Sequence, residues 1–354
     1  MIRLVIIMQL TDRKWKAFNV TDVFDHIQRG KRLKNADHIP GDWPYISSSA
    51  LNNGVADWIE PTDNSRVFGE SISLANSGSV GTAFYEPFDY VASDHITSFH
   101  LKHGSKLVYL FMATCLEKQK NNFSFNREVN ENRLKRLKIM LPVDDHGQPD
   151  YQFMADYERQ LIRHKREQYL KYVSDQLAKL GSIEPLKPLD ELKWNPVCVA
   201  DIGNVLSGHD IYARERIDGQ IPYVTSGSTN NGIGYFVGND NKSKDFGVIS
   251  VNRNGAVGEA FYHPYTALFG NDCRKLRLDL DEKHKYAPFF IAAMISKQKT
   301  AFSYSRKLGT ARLKLLKVML PVNDQGQPDY DYMEQYIKNK MIQKYKKYLE
   351  YLGK

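Results

Sequence analysis

The 354-residue sequence has only three cysteines, at 115, 198 and 273. They lie far apart, which argues against a disulfide framework and against a zinc site. A reducing cytoplasm is the simplest setting. Long apolar runs are also missing. No stretch approaches the roughly 18 residues of a membrane span, so no membrane contact is expected. The opening segment MIRLVIIM is too short for a signal peptide and lacks a small-residue cleavage site. Catalytic signatures are scarce. There is no Asp/Asn-Pro-Pro-Tyr of an amino-methyltransferase, no dinucleotide fingerprint and no P-loop. The nearest nuclease-like fragment is Glu191-Leu192-Lys193, with Pro149-Asp150 far upstream. His95 beside Asp94, and Asp272 further on, suggest no Ser–His–Asp arrangement. No metal site is expected.

Acidic charge is in deficit. Forty-nine Lys and Arg face 41 Asp and Glu, leaving +8 at neutral pH. A positive excess suits a polyanionic partner, although many ordinary proteins share it. A hydrophobic content of 42% places the chain among soluble globular proteins.

What is present above all is a duplication. LKRLKIMLPVDDHGQPDYQFM at 134–154 reappears as LKLLKVMLPVNDQGQPDYDYM at 313–333. WPYISS (43–48) answers IPYVTS (221–226), and NNGV (52–55) answers NNGI (230–233). GSVGTAFY (78–85) answers GAVGEAFY (255–262), and FSFNR (123–127) answers FSYSR (302–306). The offset stays between 177 and 179. Neither the cysteines nor the histidines repeat, so no duplicated metal or acid–base site is visible. Two similar units present two similar surfaces, which suits a ligand with two similar parts. The repeat begins only near residue 13, making Met8 a candidate start with residues 1–7 an extension.

Each copy reads as a turn-rich α+β globule followed by a long helix. Short apolar runs such as SISLA (71–75) are separated by Gly, Asn, Asp and Pro. Short helices are expected over Leu107–Lys120 and Ala287–Lys299. From Asp150 to Leu180, and from Asp329 to Leu352, the chain has no Gly or Pro. There Met154, Tyr157, Leu161, Tyr169, Tyr172 and Leu180, and likewise Met333, Ile337, Met341, Tyr345, Tyr348 and Leu352, recur at largely helical spacing. Asp150 and Asp329 suit N-terminal positions, where exposed N–H groups favour a carboxylate. Helices with one apolar stripe must pack on something, and each is the natural partner of the other. The expected layout is two tandem pseudo-symmetric α/β globules over 13–149 and 192–328. Helices over 150–180 and 329–354 would form an antiparallel coiled-coil spacer, with a linker at 181–191. About 28 helical residues span roughly 40 Å, close to one turn of B-DNA at about 34–36 Å.

Candidate contact residues fall in equivalent places. Arg127–Lys138 and Arg306–Lys317 each hold five Lys or Arg, a cluster fit for phosphates or a solvated helix face; Arg127, Arg306 and Lys307 lead them. Ser47, Ser48, Asn52 and Asn53, with Thr225, Ser226, Asn230 and Asn231, carry hydrogen-bonding groups able to reach base edges. For any one of them, turn chemistry is the simpler account. Asn76 corresponds to Arg253 beside a Gly-x-x-Gly turn; Asn prefers adenine and Arg guanine, so two such loops on DNA would read different bases. Gly30-Lys31-Arg32-Leu33-Lys34 occupies the place of Gly208-His209-Asp210 in the second copy, making Lys31, Arg32 and Lys34 candidates on a loop whose charge differs between the copies.

Two globules, each ending in a basic stretch, a strand closing in Leu-Pro and a long helix, resemble the DNA specificity subunits of type I and type IIB restriction–modification systems. IMLPVDDHGQPDYQFM and its copy resemble the type IIB branch most. The resemblance covers essentially all of 13–352. It implies two target-recognition domains reading a bipartite, asymmetric site in double-stranded DNA. It also implies spacer helices that dock a methyltransferase/nuclease subunit, which holds the S-adenosylmethionine and magnesium. This chain itself would be non-catalytic, without cofactor. Two other readings fit the residues alone: a self-contained nucleic-acid-modifying enzyme, and a scaffold that binds proteins through its helices.

Overall fold

The computed structural model describes residues 8–102, 104–123, 128–303 and 305–353, and within these the side chain of Glu131 is left aside. The chain divides into two compact units, with the boundary between Lys171 and Tyr172.

In the first unit the strands are β1 (Lys14–Asn19), β2 (His26–Arg29), β3 (Pro40–Ile46), β4 (Val55–Ile59), β5 (Val67–Phe68), β6 (Ser71–Ala75), β7 (Ala83–Glu86), β8 (Tyr90–Ala92), β9 (Ile96–His100) and β10 (Lys138–Val143). The helices are α1 (Val20–Val23), α2 (Lys106–Glu117), α3 (Glu131–Leu134) and α4 (Tyr151–Leu180). One sheet has the order β2-β9-β6-β7 and is antiparallel throughout. A second, β4-β3-β8-β5, contains the parallel pair β3–β8. β1 pairs with β10 to close the unit. The main core lies under α2, where Tyr109 and Met112 meet Ile72, Phe99 and Ile139, with Met154 from the start of α4.

The second unit repeats the plan. Its strands are β11 (Trp194–Cys198), β12 (Gly203–Ser207), β13 (Asp218–Val224), β14 (Ile233–Val237), β15 (Val248–Asn252), β16 (Ala260–His263), β17 (Leu268–Phe269), β18 (Cys273–Leu278) and β19 (Lys317–Pro321). Its helices are α5 (Val199–Ile202), α6 (Ala287–Ser296), α7 (Thr310–Lys314) and α8 (Tyr330–Tyr351). The sheets are β12-β18-β15-β16 and β14-β13-β17, with β11–β19 as the closing pair. At the place of β5 only an isolated bridge, Asp245↔Ala267, remains. Trp15 stacks on Phe111 of α2, and Trp194 stacks in the same way on Phe290 of α6, each at an interplanar angle of 25°. The repeated tryptophans are thus core anchors.

The repeated GQPDY motif is a strand-to-helix connector. Asp144 Oδ1 accepts N–H bonds from His146 and Gln148, and Asn323 Oδ1 accepts from Gln325 and Gln327. Gly147 and Gly326 take φ values of +73° and +77°, a region that favours glycine. Pro149 and Pro328 bridge back to Val143 and Val322. Asp150 and Asp329 then cap α4 and α8, accepting from the N–H of Phe153 and Tyr332, as their position in the sequence suggested. Asp150 is also held by Arg13 at 2.8 Å.

Helix α4 crosses the unit boundary, and its last turns belong to the second unit. There it runs antiparallel to α8. Tyr172 and Tyr345 bring their hydroxyls to 3.3 Å, while further along the chain Gln335 donates to the Ser182 carbonyl. Asn339 pairs with both backbone groups of Glu184, and Gln160 in the first unit does the same with Met8. The segment leading into each domain is therefore tied to that unit's helix by amide side chains.

Candidate nucleic-acid interface

The turn before β4 and its counterpart before β14 carry three consecutive left-handed residues. Asn52, Asn53 and Gly54 have φ of +51°, +51° and +75°; Asn230, Asn231 and Gly232 have +50°, +52° and +74°. Asparagine tolerates this region better than other side-chain-bearing residues. Turn chemistry therefore explains why asparagine stands at these four positions. Their side chains nevertheless all point outward.

The turn is closed on β3 by Ser47, whose N–H donates to the Gly54 carbonyl at 2.9 Å, and in the second unit by Thr225 on Gly232 at 2.7 Å. The next residues, Ser48 and Ser226, lie against the Gly-x-x-Gly turn. Their carbonyls accept from Ser79 and Ala256, and a Cβ added at Gly78 or Gly255 would meet their side chains at 2.7 and 2.6 Å. The fold thus brings Ser47, Ser48, Asn52 and Asn53 to one edge of the first unit, and Thr225, Ser226, Asn230 and Asn231 to the same edge of the second.

Arg32, Lys34 and Ser47 line a cavity of about 560 Å³ together with His38, Tyr45, Asp57, Asp94 and His95. Lys31 is exposed and donates to Asn64 at 2.8 Å. Asn76 does not join this surface. It is buried and accepts from the Thr97 hydroxyl at 2.8 Å, so the expectation of a base-reading Asn76 is corrected. Its counterpart Arg253 is half-buried and lies 3.5 Å from Asp272. Arg306 is exposed, whereas Lys307 is partly buried. Arg127 lies outside the described residues. The Arg306 and Lys307 segment is not among the residues that line the cavity or form the asparagine turns.

Of the helix candidates, Met154 and Met333 are fully buried. Tyr157, Ile337, Met341, Tyr345 and Leu352 are half-buried, and Leu161, Tyr172 and Tyr348 are exposed. The buried positions fall at Val173 and Ile342, one residue beyond Tyr172 and Met341.

Sequence reasoning missed a pair of residues at this edge. His38 Nδ1 and Asp57 are 2.7 Å apart, and the His38 ring packs edge-on against Tyr45. This bond and the Trp58 N–H hold the Asp57 carboxyl below its ordinary pKa. In the second unit the equivalent places hold Arg216 and Tyr235. The Arg216 guanidinium lies 3.7 Å above the Tyr235 ring and within 5.9 Å of Tyr223. The available signal was the alignment of WPY with IPY, which fixes Tyr45 and Tyr223 as common ground.

Among the described residues no group of three or more His, Cys, Asp or Glu is placed to hold a metal ion. No helix among them is long and apolar enough to cross a membrane. Burial pushes the Cys115 and Cys273 thiols up to about 12, far from a nucleophile's range.

A family model described as the type I restriction modification DNA specificity domain matches the chain twice, over residues 12–171 and 191–351. Among curated proteins, the specificity subunit S.BcgI of a type II restriction enzyme from Heyndrickxia coagulans is 28% identical over 346 residues, 93% of this chain and 96% of its own. Among solved structures, the S subunit of a type I restriction–modification system from M. genitalium matches 98% of this chain and 94% of its own. It does so at 18% identity and a TM-score of 0.50, a likeness of fold.

Proposed function

The chain belongs to the family of type I restriction–modification DNA specificity domains, carries that domain twice, and from this premise we propose how it reads DNA. It is a non-catalytic specificity subunit, assembling with DNA and a methyltransferase subunit. The tandem match of both halves to a DNA specificity domain carries this conclusion. The recognition domains are assigned to 13–149 and 192–328, the spacer helices to 150–180 and 329–354, and the linker to 181–191.

Each domain is proposed to meet its half-site with the edge that gathers Ser47, Ser48, Asn52 and Asn53, or Thr225, Ser226, Asn230 and Asn231. Lys31, Arg32, Lys34, Arg253, Arg306 and Lys307 set the register on phosphates; side chains at the left-handed turns reach the bases. Because the loops beside those edges differ, with Lys31 and Arg32 where the second unit has His209 and Asp210, the target is bipartite and asymmetric. The exposed Leu161, Tyr172 and Tyr348 on the helices suit the docking of the methyltransferase/nuclease subunit, which supplies the S-adenosylmethionine and magnesium. The complex acts in the cytoplasm.

Titration of a cognate duplex with this chain and its methyltransferase at several salt concentrations tests the reading. Binding that weakens steeply with salt and discriminates between sequences is expected. Salt-independent binding, or methyl transfer by this chain alone, overturns it.

A further inference from the structure

We infer that Asp57 in the first unit and Arg216 in the second are specificity-determining residues, each reading one base of its half-site. Asp57 accepts from an exocyclic amino group, cytosine N4 or adenine N6, and Arg216 donates to guanine. The inference rests on the specificity-subunit reading above.

Both residues stand in one frame. Tyr45 is the strand partner of Asp57 on β3 and β4, as Tyr223 is of Tyr235 on β13 and β14. Glu60 N–H bonds the Ile39 carbonyl, and Gly238 N–H bonds Ile217, both at 2.7 Å. The backbone around the pair is thus the same in both units, while the chemistry presented differs completely: an imidazole and a carboxylate in one, a guanidinium on a phenol in the other.

Asp57 is an exposed carboxylate, with 51% of its side chain open, in a cavity that also holds Arg32 and Lys34. It makes no ion pair with either of them. Its partner is His38, whose side chain is 91% buried and whose Nε2 has no hydrogen-bond partner. Leaving a buried nitrogen unpaired is costly. What that arrangement achieves is one fixed orientation of the Asp57 carboxylate; His38 is a positioning residue. A carboxylate held toward DNA is repelled by phosphates, and only amino groups on base edges attract it. Asp and Glu accept from cytosine N4 in the major groove.

Arg216 is fixed by different means. Its Nε donates to the Ile211 carbonyl at 3.3 Å, and its plane rests on Tyr235. Among the described residues neither of its terminal nitrogens has a hydrogen bond, so the fork that fits guanine O6 and N7 is left open. A guanidinium preoriented by an aromatic face loses little entropy on binding.

The test uses the whole chain complexed with its methyltransferase, the native form alongside Asp57→Ala, Asp57→Asn and Arg216→Ala. Each complex selects its motif from randomised duplexes, and salt dependence is measured on the selected site. With Asp57→Ala, one position of one half-site becomes degenerate and discrimination there falls about 5- to 150-fold. The other half-site and the salt slope stay as in the native complex. Where the native complex selects cytosine at that position, Asp57→Asn moves it to adenine, which asparagine pairs bidentately; where it selects adenine, Asp57→Asn retains adenine. Arg216→Ala relaxes one guanine in the opposite half-site. A uniform loss of affinity with the salt slope reduced by about one marks a phosphate contact and overturns the base-reading role. A motif left unchanged by Asp57→Ala or by Arg216→Ala overturns it too. Loss of an entire half-site marks a damaged domain; the role then stands or falls on Asp57→Asn, which keeps the shape of the side chain. A native complex that selects no motif refutes the specificity-subunit reading itself, a different failure from either of these.

Discussion

One buried position carries opposite titrating groups in the two units, and it predicts opposite responses to pH. Glu86 ends β7, is fully buried, and accepts from Ser73 at 2.8 Å. Its counterpart His263 ends β16, equally buried, and meets Ser250 at 2.8 Å. Burial raises the Glu86 carboxyl from 4.5 to about 7 and lowers the His263 imidazole from 6.5 to about 4. For Glu86 the stability is present in full below pH ~4.5 and is lost as pH rises through about 7. The loss approaches about 3 kcal/mol, taking ~2.5 units at 1.36 kcal/mol each. For His263 the folded value lies below the unfolded one. Its contribution is full above pH ~6.5 and is lost as pH falls through about 4, again by about 3 kcal/mol. Glu86→Gln keeps the acceptor for Ser73 and removes the charge. It should stabilise the first unit by about 3 kcal/mol at pH 8 and by less than about 1 kcal/mol at pH 5. Hydrogen exchange of peptides from β6–β7 and β15–β16, corrected for intrinsic rates, reads the two units separately. A pH-independent effect of Glu86→Gln, or equal effects in both units, would refute the reasoning.

Two further outcomes follow from the packing. Asp245 pairs with the buried Lys275 at 2.9 Å and also holds Arg277; Asp245→Ala strands the Lys275 charge and should cost about 3–5 kcal/mol in denaturant melts of the chain. Asn53→Ala places a plain Cβ at φ +51° and should cost about 1–2 kcal/mol, whereas Asn53→Gly should be neutral or better in the same melts.

The architecture was legible because the duplication supplied each signal twice. Helix boundaries at Asp150 and Asp329 could be read from the capping carboxylate and from the absence of Gly and Pro, and α4 and α8 begin there. The helix faces were read less sharply. Tyrosines were counted as stripe residues, and Tyr172 does meet Tyr345 of α8, although it and Tyr348 keep much of their surface open, because a phenol with its polar tip suits a half-exposed site. The left-handed turns were legible from local turn chemistry, at the paired Asn-Asn-Gly segments. Asn76 misled because its amide serves Thr97 within the core, a long-range bond with no local signature. Asp57 and Arg216 escaped notice for the same reason. Their partners, His38 and Tyr235, lie 19 residues away across a strand pair; the alignment of WPY with IPY marks the shared tyrosine beside them but not the contact itself.

The central claim is that this chain alone sets which DNA sequence its methyltransferase modifies, one half-site per domain. Single-molecule sequencing of DNA methylation in cells carrying the methyltransferase, with and without this chain, tests it directly. The account predicts a split, asymmetric, adenine-methylated motif that vanishes when the chain is deleted. Replacing residues 192–328 with those of a relative should rewrite one half of that motif and leave the other intact. Methylation that persists without the chain, or a replacement that alters both halves or neither, would contradict it.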